Sequence, residues 1–160
     1  MFRIGFGTDI HRLVSGRPLI IGGVRVESDL GADGHSDADV LMHAAADAVL
    51  GALALGDLGA HFPNDEERWR SAESSQFLRY AVGLIKAKGY SVVNIDAVVD
   101  LEKPKLRTHI DGMRANLADA VEIGIDGVSV KAKTGEGVDA VGERRAVRAQ
   151  AIVLIARAVT

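Results

Sequence analysis

Phe2-Arg3-Ile4-Gly5-Phe6-Gly7-Thr8-Asp9-Ile10-His11 alternates in two registers. Phe2, Ile4, Phe6 and Ile10 fall on one side, and Arg3, Gly5, Gly7, Asp9 and His11 on the other, which is the period of a half-buried strand. Asp9 and His11 therefore share a face, and Gly5 and Gly7 on that face leave room for a close approach. Downstream, Leu19-Ile20-Ile21 and Val24-Arg25-Val26 read as two short strands joined by Gly22-Gly23, a pair suited to a tight hairpin turn. These strands are expected to form the first β-layer.

Beyond the hairpin the period changes. Ser36 is placed to cap a helix with Asp37 and Asp39 in its first turn, where the helix dipole favours negative charge; apolar residues continue to Leu55 before Gly56. A second helix is predicted over 74–88, with Phe77, Ala81, Leu84 and Ile85 on one stripe and Gly89 as its stop. Strand character returns over 91–101. A third helix over 106–123 sets Ile110, Met113, Leu117 and Val121 on one face and ends at Gly124, and Val128, Val130 and Ala132 mark another strand. The tail 146–159 mixes helix-favouring alanine with Val147, Ile152, Val153 and Ile155, which favour strand; it is assigned to strand, in part on the family resemblance below. The order β-β-β-α-α-β-α-β-β implies an α+β fold, a single-layer mixed sheet with helices on one side, ferredoxin-like. Pro18, Pro63 and Pro104 all fall in connections.

A chain of 160 residues is the size of one domain, here residues 1–160, with no internal repeat, linker or low-complexity stretch. The composition is 48% hydrophobic and 26% charged, that of a globular protein rather than a disordered or membrane one. A net charge of -3 with scattered basic residues argues against a nucleic-acid groove. No signal peptide or membrane-length apolar run opens the chain, so the expected location is the cytoplasm. Without cysteine, any metal must be held by His, Asp or Glu.

Such groups are present. Asp9 and His11 offer two ligands from one strand face, although strand-end polar residues also occur simply solvated or hydrogen-bonded. In His35-Ser36-Asp37-Ala38-Asp39-Val40-Leu41-Met42-His43, Asp39, His43 and Asp47 follow at helical spacing along one face. Asp39 or Asp47 could fix the second ring nitrogen of a ligating His43; the alternative is a polar stripe with a structurally satisfied histidine. Asp9, His11 and His43 together would leave the open position that catalytic zinc requires. Gly56-Asp57-Leu58-Gly59 reads as a C-cap turn carrying one functional candidate, Asp57. The connector from His61 to Ser75, with Phe62, Pro63, Asn64, Asp65, Glu66, Trp69 and Arg70, is long and polar, as lids and binding loops are, and as solvated loops also are. Glu102-Lys103-Pro104-Lys105 joins a strand to a helix and could meet phosphate through Lys105, although charge runs usually just face water. In Lys131-Ala132-Lys133-Thr134-Gly135-Glu136-Gly137, hydroxyl, carboxylate and glycine-freed amides could hold a phosphate and a hydrated magnesium ion. His61 and His109 are read as ordinary surface or loop histidines.

Taken jointly, Asp9-x-His11, His35-Ser36-Asp-x-Asp39-x-x-x-His43, Gly56-Asp57-Leu58-Gly59, Phe62-Pro63, Lys103-Pro104-Lys105 and Lys133-Thr134-Gly-Glu136-Gly resemble the 2-C-methyl-D-erythritol 2,4-cyclodiphosphate synthase family in order and spacing over nearly the whole chain. The resemblance implies a cyclase, a phosphorus-oxygen lyase of non-mevalonate isoprenoid biosynthesis. Its members convert 4-diphosphocytidyl-2-C-methyl-D-erythritol 2-phosphate to the cyclic diphosphate and CMP. It further implies a homotrimer with sites at the subunit interfaces, zinc at Asp9, His11 and His43, and magnesium or manganese at Glu136. His35, Ser36, Asp57 and Gly59 would cradle the erythritol part, the segment Leu101 to Arg107, with Pro104, Lys105 and Leu106, would grip cytosine largely through backbone groups, and Lys105 and Thr134 would hold the nucleotide phosphates. Asp9, His11, Leu58, Phe62, Lys133, Gly135 and Glu136 are further expected substrate contacts. His35 and Thr134 are the residues expected to align the transferring phosphoryl group.

The chain departs from the family pattern at Asn64, where an aspartate is usual, and at Glu143 and Arg145, where the order of charge is inverted. In the family an arginine at the place of Glu143 is linked to isoprenoid diphosphates at the trimer axis. Rival readings of the same residues are a zinc phosphodiesterase-type hydrolase with Asp39 or Asp57 as base, and a non-catalytic nucleotide-binding trimer.

Overall fold

A computed structural model describes residues 1–63 and 72–157. Thirteen residues, Phe2–Val14, form strand β1, and its glycine-bearing face is the buried one. Phe2, Ile4, Phe6 and Ile10, the apolar set of the alternation, point away from the helices and are 69%, 70%, 59% and 55% exposed. The glycines explain this orientation. A β-carbon on Gly5 would lie 1.8 Å from the Ala48 carbonyl oxygen, so the absence of side chains there admits a helix backbone directly against the strand.

That helix, α1, is Val40–Ala52, and its cap is Asp39, whose carboxylate accepts from the Leu41 and Met42 amides. The expected start at Ser36 is thus corrected: the Ser36 hydroxyl closes a local turn by accepting from Ala38 N. The helix also ends before the expected Leu55, with Leu53 as C-cap. Gly56, in left-handed conformation, instead leads into a short helix α2, Leu58–His61, capped by Asp57. The C-cap reading of the Gly56 turn is corrected accordingly. Helix α3, Ser75–Ala87, matches its expected span and stops before left-handed Gly89.

Strands β2 (Leu19–Ile21) and β3 (Val24–Val26) form the expected hairpin, with Gly22 and Gly23 both at positive φ. They make a two-stranded sheet of their own rather than joining β1. The main sheet runs β4 (Gly31–Ala32), β1, β7 (Ala146–Arg157), β5 (Tyr90–Asp100), β6 (Val128–Lys133), with only β5 and β6 parallel. The ambiguous tail is therefore a central strand through residue 157, its alanines Ala149 and Ala151 buried on the helix side where larger groups would hold α1 away. Residues 158 and 159 of that assignment lie outside the described residues.

Between β5 and β6 the chain crosses through α4, Ile110–Val121, which follows a single 3-10 turn at Arg107–His109. The predicted helix 106–123 is thus trimmed at both ends, and left-handed Glu122, not Gly124, forms its C-cap. A one-turn helix α5, Asp139–Gly142, precedes β7. The chain is α+β, a central mixed sheet with α1, α3 and α4 against it. Among the described residues, no helix is long and apolar enough to cross a membrane.

Candidate metal centre and active site

The close packing of β1 on α1 puts Asp9 and His11 beside His43, which sits in the first turn of α1. Asp9 Oδ2 lies 3.0 Å from His11 Nε2 and 3.0 Å from His43 Nδ1, and the two nitrogens are 3.4 Å apart. Ligands about 2.0–2.1 Å from a tetrahedral ion stand about 3.3 Å from one another, so the three atoms have the spacing of a divalent-metal face. They are the group among the described residues that could hold a metal ion, and their chemistry, two imidazoles and a carboxylate, suits one.

Both histidines have their outer nitrogen engaged. His11 Nδ1 is 2.9 Å from the Asp33 carbonyl oxygen, a contact that places its hydrogen there and leaves Nε2 to the ligand set. His43 Nε2 meets the Ser74 hydroxyl at 2.8 Å. Neither Asp39 nor Asp47, the sequence candidates, is that partner. Asp39 is fully buried as the α1 cap and also accepts from the Gly22 and Gly23 amides, clamping the hairpin onto the helix. Asp47 accepts from Leu58 N at 2.7 Å.

Electrostatics follow from this crowding. Burial opposes the charge on Asp9, but the hydrogen bonds and charges of His11 and His43 outweigh it and hold the carboxyl far below the usual range. Burial likewise opposes a proton on His11, and the Asp9 hydrogen bond and charge overcome it, raising that imidazole. Asp47 is pushed up by burial, with the Leu58 amide pulling against it and Asp57 and Asp9 adding to the rise.

A cavity of about 500 Å³ opens over the triad. Its wall includes His35, Ser36, Asp57, Leu58, Gly59 and Phe62, all singled out from sequence, together with Asp47. Phe77, read from sequence as core, forms part of the wall: it packs on Phe62 at 4.6 Å between ring centroids and reaches His43 at 5.9 Å. His61 is less ordinary than expected, since its Nε2 meets the Leu55 carbonyl and its ring lies against Tyr80. Of the connector, Asn64, Asp65, Glu66, Trp69 and Arg70 lie outside the described residues.

The remaining site candidates are elsewhere. Leu101, Lys105, Leu106, Arg107, Lys133, Thr134 and Glu136 line a separate cavity of about 650 Å³. Thr134 Oγ1 donates to Glu136 Oε1 at 2.7 Å, and Gly135 N donates to Glu102, which folds the loop after β6 onto the end of β5. Pro104, after a cis peptide, lines a third hollow with Lys103 and Arg144, and Lys105 borders both. Glu143 is paired with Arg145 at 2.6 Å, so the inverted charge order still closes an ion pair.

The two cavities share one end of the sheet. β1, β5 and β6 run the same way, and His11 pairs with Val147 while Asp100 pairs with Arg148, so both sets of residues reach the same level of β7. From β1 to β6 is three strand spacings, roughly 14 Å. One chain therefore presents the Asp9, His11 and His43 pocket at β1, one strand in from the β4 edge, and a Lys/Thr/Glu pocket at the β6 edge.

The sequence model of the YgbB family matches residues 2–156. The 2-C-methyl-D-erythritol 2,4-cyclodiphosphate synthase of Salinibacter ruber is 58% identical over 153 residues, 96% of this chain and 98% of that protein. A CDP-bound structure of 2C-methyl-D-erythritol-2,4-cyclodiphosphate synthase superimposes with a TM-score of 0.89 at 40% identity, covering 96% of this chain and all of the other. The bifunctional IspDF of Campylobacter jejuni gives 0.94 at 31% identity, matching 98% of this chain and 42% of that longer one.

Proposed function

The chain belongs to the YgbB family of 2-C-methyl-D-erythritol 2,4-cyclodiphosphate synthases and is an enzyme forming the cyclodiphosphate with release of CMP; we propose that it does so at a composite site, half supplied by each of two neighbouring copies. The substrate is 4-diphosphocytidyl-2-C-methyl-D-erythritol 2-phosphate. Residues 1–160 serve as one cytoplasmic catalytic domain that assembles as a homotrimer.

The observation that carries this reading is the geometry of Asp9, His11 and His43 beneath a cavity walled by His35, Ser36 and Asp57–Gly59. Asp9, His11 and His43 would hold zinc, and Glu136 would hold magnesium or manganese. When bound, the ions neutralise phosphate oxygens and polarise the phosphorus under attack. Asp57 and the backbone of Leu58 and Gly59 take the erythritol hydroxyls, with Ser36 and Phe62 closing the wall. Leu101, Pro104, Lys105, Leu106 and Arg107 hold cytidine. Lys105, Lys133, Thr134 and Gly135 face the diphosphate.

The substrate's own 2-phosphate is an anionic nucleophile, so no strong base is needed. One of its oxygens forms a bond to the β-phosphorus as the bond to the CMP oxygen breaks, and CMP departs with the electron pair. The protein's task is to bend the substrate until attacking and leaving oxygens are in line. His35 and Thr134 align the group in transfer from opposite sides.

A trimer is supported by two features. The uncovered sheet face carries Phe2, Ile4, Phe6, Ile10 and Ile152, an apolar surface of the kind that associating chains bury. Complementary half-sites at opposite edges also suit a head-to-tail ring.

The test is a phosphorus NMR time course with the substrate, with and without chelator and magnesium. Metal-dependent CMP with a cyclic diphosphate is expected. CMP with a linear bisphosphate would mark a hydrolase, and binding without turnover a nucleotide-binding module.

A further inference from the structure

Resting on Asp9, His11 and His43 as metal ligands, we propose that Ser74 and Asp37 are positioning residues that fix the tautomer and ring orientation of His43. Ser74 stands at the N-cap of α3, where a serine hydroxyl ordinarily accepts from a backbone amide of the first turn, yet it makes no such bond. The residue is completely buried. Its hydroxyl is turned the other way, onto Asp37 Oδ1 and His43 Nε2.

The direction of each bond is set by what the groups can do. A carboxylate only accepts, so the single hydroxyl hydrogen of Ser74 goes to Asp37. Ser74 Oγ then offers only lone pairs to His43, 2.8 Å away, and His43 Nε2 must carry the hydrogen. With the hydrogen held at Nε2, the lone pair of Nδ1 is left for a metal shared with Asp9 and His11, whose ligand atoms stand 3.0 and 3.4 Å away. Ser36 Oγ, 3.3 Å from the same nitrogen, is the more distant contact.

Asp37 is itself anchored. Its Oδ2 accepts from Ser74 N at 3.0 Å, and its own amide donates to the Ala72 carbonyl at 3.1 Å, so the segment leading into α3 is tied to the segment leading into α1. Phe77, one turn into α3, lies against the imidazole and resists its rotation. His43 thus hands its outer hydrogen through a hydroxyl to a carboxylate, whereas His11 ends on a neutral backbone carbonyl. Of the paired acids in Ser36-Asp37-Ala38-Asp39, Asp39 serves the fold and Asp37 serves the ligand.

The experiment measures zinc affinity by chelator competition and the visible bands of cobalt-substituted protein for wild type, S74A, S74T and D37A, each checked for folding by circular dichroism. S74A should bind zinc about 10- to 100-fold more weakly and shift the cobalt bands, the usual penalty for removing a partner of a ligating histidine. S74T, which keeps the hydroxyl, should recover affinity. D37A, which leaves the hydroxyl but frees its hydrogen, should shift the bands in the same sense as S74A. Wild-type affinity and spectrum in S74A, equal losses in folded S74A and S74T, or an unchanged spectrum in D37A would each overturn the proposal. Failure of the wild type to bind either ion would sink the metal site itself, a separate and recognisable result.

Discussion

Gly7 and Ala44 meet backbone to backbone: a β-carbon on Gly7 would lie 2.1 Å from the Ala44 carbonyl oxygen and 2.6 Å from the Ala48 amide nitrogen. Asp9 follows two residues later on the same strand face, and His43 directly precedes Ala44. The contact therefore sets how far the carboxylate of β1 stands from the imidazole of α1.

Substituting Gly7 should couple stability to metal binding. G7A must push α1 off the strand, costing about 1–3 kcal/mol by overpacking, and G7V more. Zinc affinity should fall in step, because a shift of even half an ångström spoils a ligand set spaced at 3.0–3.4 Å. Thermal melting and chelator competition on the same samples would show it; a destabilised G7A with native zinc affinity would contradict the coupling.

Asp39 should be among the most sensitive positions for folding. Its carboxylate accepts from Gly22, Gly23, Leu41 and Met42, and D39A would orphan buried amides as well as uncap α1. A loss of at least about 3 kcal/mol is expected from the cap and the unmet donors together. Urea denaturation gives the number, and a loss under about 1 kcal/mol would mean that the hairpin clamp contributes little.

The triad makes the sign of pH dependence opposite with and without metal. In metal-free protein, His11 is raised above 6.5, so its contribution is complete below pH 6.5 and lost as pH rises through the raised folded value. Asp9 is depressed below 3.8, so its contribution is present above pH 3.8 and lost as pH falls through the depressed value. Metal must displace the His11 proton, so zinc stabilisation grows with pH over the interval where the metal-free protein weakens. Melting scans from pH 6 to about 8 should show the two curves diverging; parallel curves would exclude proton displacement at His11.

Shared sites predict complementation. H43A removes a ligand from one cavity and T134A a hydroxyl from the other, so each variant alone should lose most activity. Co-refolded in equal amounts, random trimers would contain about a quarter of their interfaces with both halves intact. Recovery near that fraction of wild-type turnover is expected, and none at all would place each site within a single chain.

Introducing charge on the uncovered sheet face gives an independent check. F6D leaves the helix side of β1 untouched, since Phe6 is 59% exposed on the opposite side. If the proposed trimer forms through this face, F6D should nevertheless dissociate it and abolish turnover while preserving the fold of the chain. Light scattering against enzyme assay separates the outcomes; a fully active F6D monomer would refute the association.

What the sequence determined by itself was whatever depends on short spacing. The alternation at Phe2–His11 placed Asp9 and His11 on one face, the turn chemistry of Gly22-Gly23 gave the hairpin, and the stripe Phe77, Ala81, Ile85 gave α3 nearly to the residue. The motif set pointed to Asp9, His11 and His43, which the fold brings together in a group that could hold a metal ion, and to most of the cavity wall around them. Capping was less legible, because Ser36, Asp37 and Asp39 are all good caps and the choice among them was made by remote partners: the hairpin amides took Asp39, and Ser74 took Asp37. Ser74 carried no local sign of its role, since its hydroxyl serves residues 31 and 37 positions away instead of its own helix. Only the tertiary structure decided which face of β1 is covered. Apolar content alone favours burying Phe2, Ile4 and Phe6, but backbone contact at Gly5 and Gly7 draws α1 to the other side, leaving the larger apolar groups outward and Asp9 and His11 in.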